Sequence, residues 1–580
     1  MVRGVSVRAG TGPGRGERLA RALRGMILPT AWASASGLAL TSAFAPLNWW
    51  WAAPVGVAGL GTIVRGRTWG RSAWLGFVVG LAFFAPLLHF TVPAMGNALG
   101  WVALTITEAA YLALLGAAWS WVSGLGPLDD RRGEDREDGG DGVPGWHGAA
   151  ARVAALAVLW AAVEELRSSW PWGGFPFGRL AFAMADSPLL PLASIGGVTG
   201  LGLLVALIGA LLAEAARALR HGPGLGALAA VIAAGAAAVA PLAIPMPSRA
   251  ESGTLRLAAV QGSVADAQDS YDRALEVTGK HADETTRLAG GIGPRAVDAV
   301  VWPENAADLD PRDHSASAQR IDRAARVIGA PILVGAVKYE DDARYNDLLL
   351  WSPGTGAGPY YRKHRPVPFA EYVPLRPWIR RVTTQVDRIG VDMLPGTGPT
   401  TLAVPSASQG RDVPLAIGIC FEVAYDDLLR DAVRQGGEAI IIPTNNANFI
   451  GTSETGQQIA QGRVQAVAHG RAVLQVSTTG TTAVISPRGV IEQELPDNEQ
   501  SSLVADLPLR TTLTIADRLG RLPAILVQAA GAALAIAGMV SAGRRRWAAR
   551  APRAHAATRR RQSGPAPTAG RSSTTRRKRT

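Results

Sequence analysis

Cysteine is nearly missing from this chain: Cys420 is alone among 580 residues. A lone thiol excludes an internal disulfide framework. With eight scattered histidines it shows no zinc-ligand spacing, so no metal is expected. Lysine is almost as scarce, with Lys280, Lys338, Lys363 and Lys578 the only four among 58 basic residues. Where a lysine persists among so many arginines, its compact ammonium is the property to explain. Neither a phosphate-cradling P-loop nor a Gly-x-Ser-x-Gly elbow occurs, which removes sequence support for phosphoryl transfer and serine hydrolysis. The net charge of +12 is local: Arg544 to Arg579 holds 13 basic residues and no acid, leaving 45 basic against 46 acidic residues elsewhere. The body is neutral, and nucleic acid is not an expected partner.

Charge is also missing in long stretches. Residues 26–64 and 72–107 carry no charged side chain, and each run is about twice the ~20 residues that cross a ~30 Å hydrocarbon core. Breaks at "FAPLNW" and "TVPAMGN" divide them into four expected spans, 26–44, 48–64, 72–92 and 98–122. Apolar segments at 149–166, 189–212, 224–244 and 522–542 raise the number to eight. Arginines cluster beside every second loop, in "RGRTWGR", "RALRHG" and "GRRRWAAR". The positive-inside rule then puts both termini in the cytoplasm and residues 245–521 outside. The expected division is a basic cytoplasmic arm (1–25), seven spans (26–244) with a polar cytoplasmic loop (123–148), an exoplasmic domain (245–521), an eighth span (522–542) and a basic, disordered cytoplasmic tail (543–580) that contacts anionic lipid. Glu108, inside the fourth span, is a functional hint with no assigned partner.

The outside segment has another texture. "TLRLAAVQGSV", "AVDAVVWPEN", "APILVGAVKY", "NDLLLWSP", "VPLAIGICFE", "GEAIIIPTNN" and "RAVLQVSTTG" are short β-branched runs ending in polar or turn residues. Helical patterns such as "SAQRIDRAARVIG" and "AYDDLLRDAVRQG" lie between them. This reads as α/β with strands buried on both faces. Chemistry in such folds gathers at the carboxyl ends of strands. Glu304 ends "AVVWPEN", Lys363 follows a strand in "YYRKHRPVPFAEYVP", and Cys420 ends "LAIGIC". A thiol near pKa ~8.5 needs a base or cation beside it to attack; Glu304 offers the base, and Lys363 a cation that also holds an oxyanion. A buried structural cysteine, a turn-capping glutamate and a solvated lysine are the plain alternatives.

The order Glu…Lys…Cys, carried by "WPEN", "RKHRPVPFAEYVP" and "GICFE", resembles the nitrilase, or carbon–nitrogen hydrolase, superfamily over residues 254–508. That resemblance implies an α-β-β-α sandwich, a Glu304–Lys363–Cys420 triad, and Glu371 and Glu422 as supporting carboxylates. A domain of this kind inserted before a last membrane span, together with "ELRSSWPWGGFPFGRLAF", is similar to the apolipoprotein N-acyltransferase family. It implies a multi-pass bacterial plasma-membrane enzyme with a phospholipid acyl donor, a diacylated apolipoprotein acceptor and no cofactor. Two departures stand out: Phe421 replaces the Tyr common after the nucleophile, and "NNAN" at 445–448 replaces an Asn-Asp-Ala-Trp pattern, which puts a carboxylate at Asn446 or an indole at Asn448 out of reach. The competing readings are a membrane-tethered amidase for a small soluble substrate, and a transporter or scaffold with an inert domain. No internal repeat supports transport.

Overall fold

The computed structural model describes residues 15–125, 145–220, 224–264, 269–381 and 383–550. Most of the expected N-terminal arm, polar loop and C-terminal tail lies outside the described residues. Among the described residues, eight helices stand where the eight apolar segments were expected: α1 (Arg15–Ser42), α2 (Ala52–Val64), α3 (Trp69–Leu87), α4 (Ala98–Val122), α5 (Gly145–Arg167), α6 (Ala193–Arg220), α7 (Leu225–Val239) and, after the second domain, α12 (Leu522–Arg550). Five segments are long and apolar enough to cross a membrane: Trp69–Leu87, Ala98–Val122, Leu190–Arg220, Leu225–Ala243 and Leu522–Arg545. Of the others, α2 has 13 residues, α5 carries Arg152, Glu164, Glu165 and Arg167, and α1 begins in an arginine-rich turn.

Small residues set the helix spacing. A Cβ added at Gly76 would lie 2.1 Å from the Leu112 carbonyl oxygen, and one at Gly116 2.3 Å from that of Ser72. Only glycine lets α3 and α4 approach this closely, the packing mode that works where lipid supplies no hydrophobic drive between helices.

Residues 254–508 form two stacked sheets. In the first, β1 (Thr254–Gln261), β2 (Ala299–Val301) and β3 (Ile332–Glu340) run parallel. The antiparallel β4 (Ala343–Ser352) and β5 (Gly356–Arg362) extend it. A two-residue β6 (Asp392–Met393) lies beside β4, and β13 (Ser501–Pro508) closes the far edge. The second sheet has the order β12-β11-β10-β9-β8-β7. Its centre is the parallel trio β8 (Arg411–Ile417), β9 (Ile440–Thr444) and β10 (Val473–Ser477), flanked by β7 (Thr401–Ser406), β11 (Ala483–Ile485) and β12 (Ile491–Glu494).

Leu257, Val301, Leu348, Leu415, Ile441 and Leu474 fill the space between the sheets. Residues Val300, Ile332 and Val334, from the outer face of the first sheet, pack on α8 (Ser270–Ile292) and α9 (Ser315–Ile328). Ala416, Ile440 and Ile442 do the same on the second sheet, under α10 (Asp426–Arg434) and α11 (Glu454–His469). Central strands buried on both faces explain the unbroken aliphatic runs. The architecture is the expected α-β-β-α sandwich on a helical membrane bundle.

Candidate active site

The three strand ends meet. Glu304 lies three residues past β2, Lys363 directly after β5 and Cys420 three residues past β8, so two sheets contribute to one site. Lys363 is buried; its Nζ donates to Glu304 Oε1 at 3.0 Å and to Glu371 Oε1 at 2.7 Å. Glu304 is held from two further sides, by Asn346 Nδ2 at 2.6 Å on Oε1 and by the Asn445 backbone N–H at 3.1 Å on Oε2. The Val367 N–H, 2.7 Å away, fixes the other oxygen of Glu371. Burial disfavours the Lys363 ammonium, but Glu304 and Glu371 outweigh it and hold its pKa well above the ordinary lysine value.

Cys420 has φ +54°, a left-handed conformation costly for a residue with a side chain. It sits at the sharp turn from β8 into a 3-10 turn, Cys420–Ala424, and remains partly exposed. Gln458 Nε2 lies 3.8 Å from its Sγ. Burial, then the charge of Glu304, push the thiol up, with Lys363 opposing. The resting group is therefore a neutral thiol.

Glu422 has a different job from Glu371. Its Oε1 accepts from the backbone N–H groups of His364 (2.7 Å) and Arg365 (2.9 Å), and its Oε2 from the Ile419 N–H (2.8 Å) and the Tyr361 hydroxyl (2.8 Å). One fully buried carboxylate thus ties the segment after Lys363 to the segment before Cys420. It bonds both segments that lead into the cluster, while Glu371 touches the ammonium itself.

Helix α11 supplies groups that single residues did not reveal. Glu454, Gln457, Gln458, Gln461 and Gln465 are all buried. Their spacing, which places the polar side chains on one helical face, was a legible signal. Asn446, fully buried, donates to Glu454 Oε2 (2.6 Å) and Gln458 Oε1 (3.2 Å) and accepts from the Ser477 hydroxyl (2.6 Å). Asn446 thus braces the floor of the site as an amide, and Asn448 is exposed. Burial, opposed by the Asn446 hydrogen bond and reinforced by Glu304, raises Glu454 to about 7.

The bundle completes the wall. Phe421 stacks on Phe177 (5.6 Å between centroids) and packs on Phe175 (5.5 Å), so the ring after the thiol is covered by the loop following α5. Glu108 explains how that loop is held: it pairs with Arg167 at 2.9 Å, and the same Nη1 donates to the carbonyls of Phe175 (2.8 Å) and Phe177 (2.7 Å). Gln457 Nε2 to the Leu87 carbonyl (3.1 Å) and Tyr425 Oη to that of Gly174 (3.2 Å) are further ties between domains.

A thiol, an ammonium and carboxylates at strand ends of an α-β-β-α sandwich define the class: residues 256–516 match the carbon–nitrogen hydrolase family model. Residues 36–211 match that of the apolipoprotein N-acyltransferase N-terminal domain. The chain is 33% identical over 557 residues to an apolipoprotein N-acyltransferase of Mycolicibacterium smegmatis, covering 91% of this chain and 88% of the relative. It is 28% identical to one of Ralstonia nicotianae, covering 88% and 94%. An amidase structure from Nesterenkonia sp. aligns at 19% identity and a TM-score of 0.35, over 48% of this chain and 98% of that one. The chain belongs to the apolipoprotein N-acyltransferase family.

Proposed function

We propose that this enzyme moves a fatty acyl chain from a membrane phospholipid to the α-amino group of a diacylglyceryl-modified N-terminal cysteine, through a thioester on Cys420. The observation that carries this reading is the Glu304–Lys363–Cys420 cluster walled by a loop of the membrane bundle. Glu304 takes the thiol proton as Sγ attacks the ester carbonyl, and Lys363 holds the tetrahedral oxyanion. Collapse expels the lysophospholipid alkoxide, which takes the proton back from Glu304. The acceptor's neutral amine then attacks the thioester, Glu304 removes its extra proton, and the thiol returns. Each transfer moves a proton within the cluster, so the buried site never changes its net charge.

The setting favours lipid substrates over the small soluble substrate of an amidase. Trp49, Trp51, Trp170, Trp172, Leu375 and Trp378 are exposed, and tryptophan is favoured at membrane–water interfaces. Removing an acyl chain from the bilayer costs about 0.8 kcal/mol per CH₂, so a site brought to the bilayer spares both substrates that cost. In this reading eight helices span the membrane, residues 245–521 are exoplasmic and both termini are cytoplasmic. A cytoplasm-only reporter fused near Ser408 is then silent; activity there overturns the orientation. The reaction itself is tested with phospholipid and a diacylated lipopeptide, scored by the mass of one added acyl chain. Hydrolysis of small amides with no acyl gain on the peptide would establish the amidase instead.

A further inference from the structure

Gln458 is buried on α11, and the bonds around its amide decide which end meets the Cys420 sulfur. They begin at Asn446, whose own amide is fixed from two sides. Its Nδ2 faces Glu454 Oε2 at 2.6 Å, and its Oδ1 accepts from the Ser477 hydroxyl at 2.6 Å. That hydroxyl is held in turn by the Gly480 backbone N–H, a group that only donates, at 2.9 Å. The second hydrogen of Asn446 Nδ2 goes to Gln458 Oε1 at 3.2 Å, and the Thr444 hydroxyl lies 3.1 Å from the same oxygen. The oxygen end of Gln458 is thus occupied, and Nε2 is the end turned to Cys420, 3.8 Å from Sγ.

A neutral thiol is a weak acceptor and gains little from such a contact. A sulfur that is losing its proton gains more, since hydrogen bonds to charged groups are about twice as strong as neutral ones. In the transfer proposed above, negative charge reaches this sulfur twice: as Sγ gives its proton to Glu304 and attacks the ester, and as the amine cleaves the thioester and the thiolate departs. The thioester between those stages carries no charge on sulfur, so a donor there favours the charged stages over the resting ones. Lys363 is already shared between Glu304 and Glu371. We infer that Gln458 is a further catalytic residue, its Nε2–H group donating to the Cys420 sulfur at both charged stages, with Asn446 and Ser477 as the residues that position it. The inference rests on the acyl-transfer reading. Gln458 gives up no proton, and the thiol proton still goes to Glu304. The Thr444 hydroxyl also favours the ionised sulfur, but its single hydrogen serves either Sγ or Gln458 Oε1, whereas the Gln458 amide keeps its N–H for Sγ alone.

Cys420 is the only cysteine, so alkylation of the full chain in detergent reads this one sulfur without any lipid chemistry. Gln458→Met keeps the length of the side chain and removes the donor. Its alkylation at pH 8.5 should slow about tenfold, the scale of one hydrogen bond to a charged group, and by the same factor with iodoacetamide and with the larger N-ethylmaleimide. Gln458→Glu keeps the shape and the acceptor for Asn446. It should fall further behind the parent between pH 6.5 and 9, as the introduced carboxylate ionises against the sulfur. Acyl adduct formation from phospholipid alone should slow in Gln458→Met by the factor seen in alkylation. A parent chain that alkylates normally and takes no acyl group overturns the acyl-transfer reading. Alkylation of Gln458→Met at the parent's rate or faster, slowing confined to the larger reagent, or a constant ratio of Gln458→Glu to parent across that pH range overturns the inference alone: the first and second mean a packing role or a blocked entrance, the third a side chain that does not face the sulfur.

Discussion

In the bundle, Glu108 meets Arg167, and Glu214 is clamped by Arg152 and Arg217. In the sandwich, Lys363 is shared between Glu304 and Glu371 beside an uncharged thiol. Glu214 sits in the guanidinium fork of Arg152, and Glu108 takes one N–H of Arg167; both pairs fix shape. The sandwich holds two carboxylates for one ammonium, and one of them can accept a proton from its neighbour. In the proposed mechanism, buried charge serves position in one region and proton transfer in the other. The predictions below press on that distinction, beginning with the largest effect.

Cys420→Ala should abolish transfer, and Cys420→Ser should lose nearly all of it, since a hydroxyl is far harder to ionise than a thiol. Intact-protein mass after exposure to phospholipid alone should show an acyl adduct on the parent chain, released by neutral hydroxylamine, and none on Glu304→Gln. Full activity without any adduct would mean direct transfer and a structural cysteine. Lys363→Arg keeps the charge yet should cost on the order of 10²–10³ in rate, because a planar guanidinium cannot occupy the ammonium's place between two carboxylates and an oxyanion. Steady-state rates near those of the parent would place Lys363 outside the chemistry.

Breaking a bundle pair should read differently. Glu108→Ala leaves Arg167 buried without its carboxylate, a loss of about 3–5 kcal/mol in stability. Its effect on turnover should be indirect, through the loop that carries Phe175 and Phe177. Glu108→Met with Arg167→Met should recover much of the unfolding temperature while activity stays low, since the two carbonyls lose their donor. Recovery of both together would show that the pair does not position the wall.

The fold was legible because it depends on periodicity and on missing charge. Central strands such as β9 and β10 are buried on both faces, so their aliphatic runs marked them. The edge strands β7 and β12 alternate or carry charge, and left little trace in the sequence. The meeting of residues at the candidate site was legible where a rare residue type stood at a strand end, as with Cys420 and Lys363. Asn346 and the Asn445 N–H were not, because a hydrogen bond across 42 or 141 residues has no local pattern. The partner of Glu108 was hidden for the same reason: Arg167 lies 59 residues away, at the end of another helix. Asn446 shows the limit of comparing motifs, since the departure from Asp leaves a fully bonded amide rather than a gap.

The smallest predicted effect is a pH dependence at the floor of the site. Burial raises Glu454 from 4.5 to about 7, with the charge of Glu304 adding to the effect. Between those values the folded protein binds a proton that the unfolded chain has released. Stability should therefore fall as pH rises from about 4.5 to about 7, by up to about 1.4 kcal/mol per unit, and level off above. Glu454→Gln keeps an oxygen to accept from Asn446 and removes the ionisation, so its unfolding temperature should lose that slope. Activity should follow a related course. Ionised Glu454 pushes the Cys420 thiol up, so above pH 7 the parent chain should acylate about two- to fivefold more slowly than the Gln variant, a fraction of a pKa unit felt at the nucleophile. The measurement is the rate of adduct formation from phospholipid alone between pH 5.5 and 8.5. Superimposable profiles for the two chains would show that the carboxylate stays protonated throughout, or that its charge does not reach the sulfur, and the floor of the site would then be purely a brace.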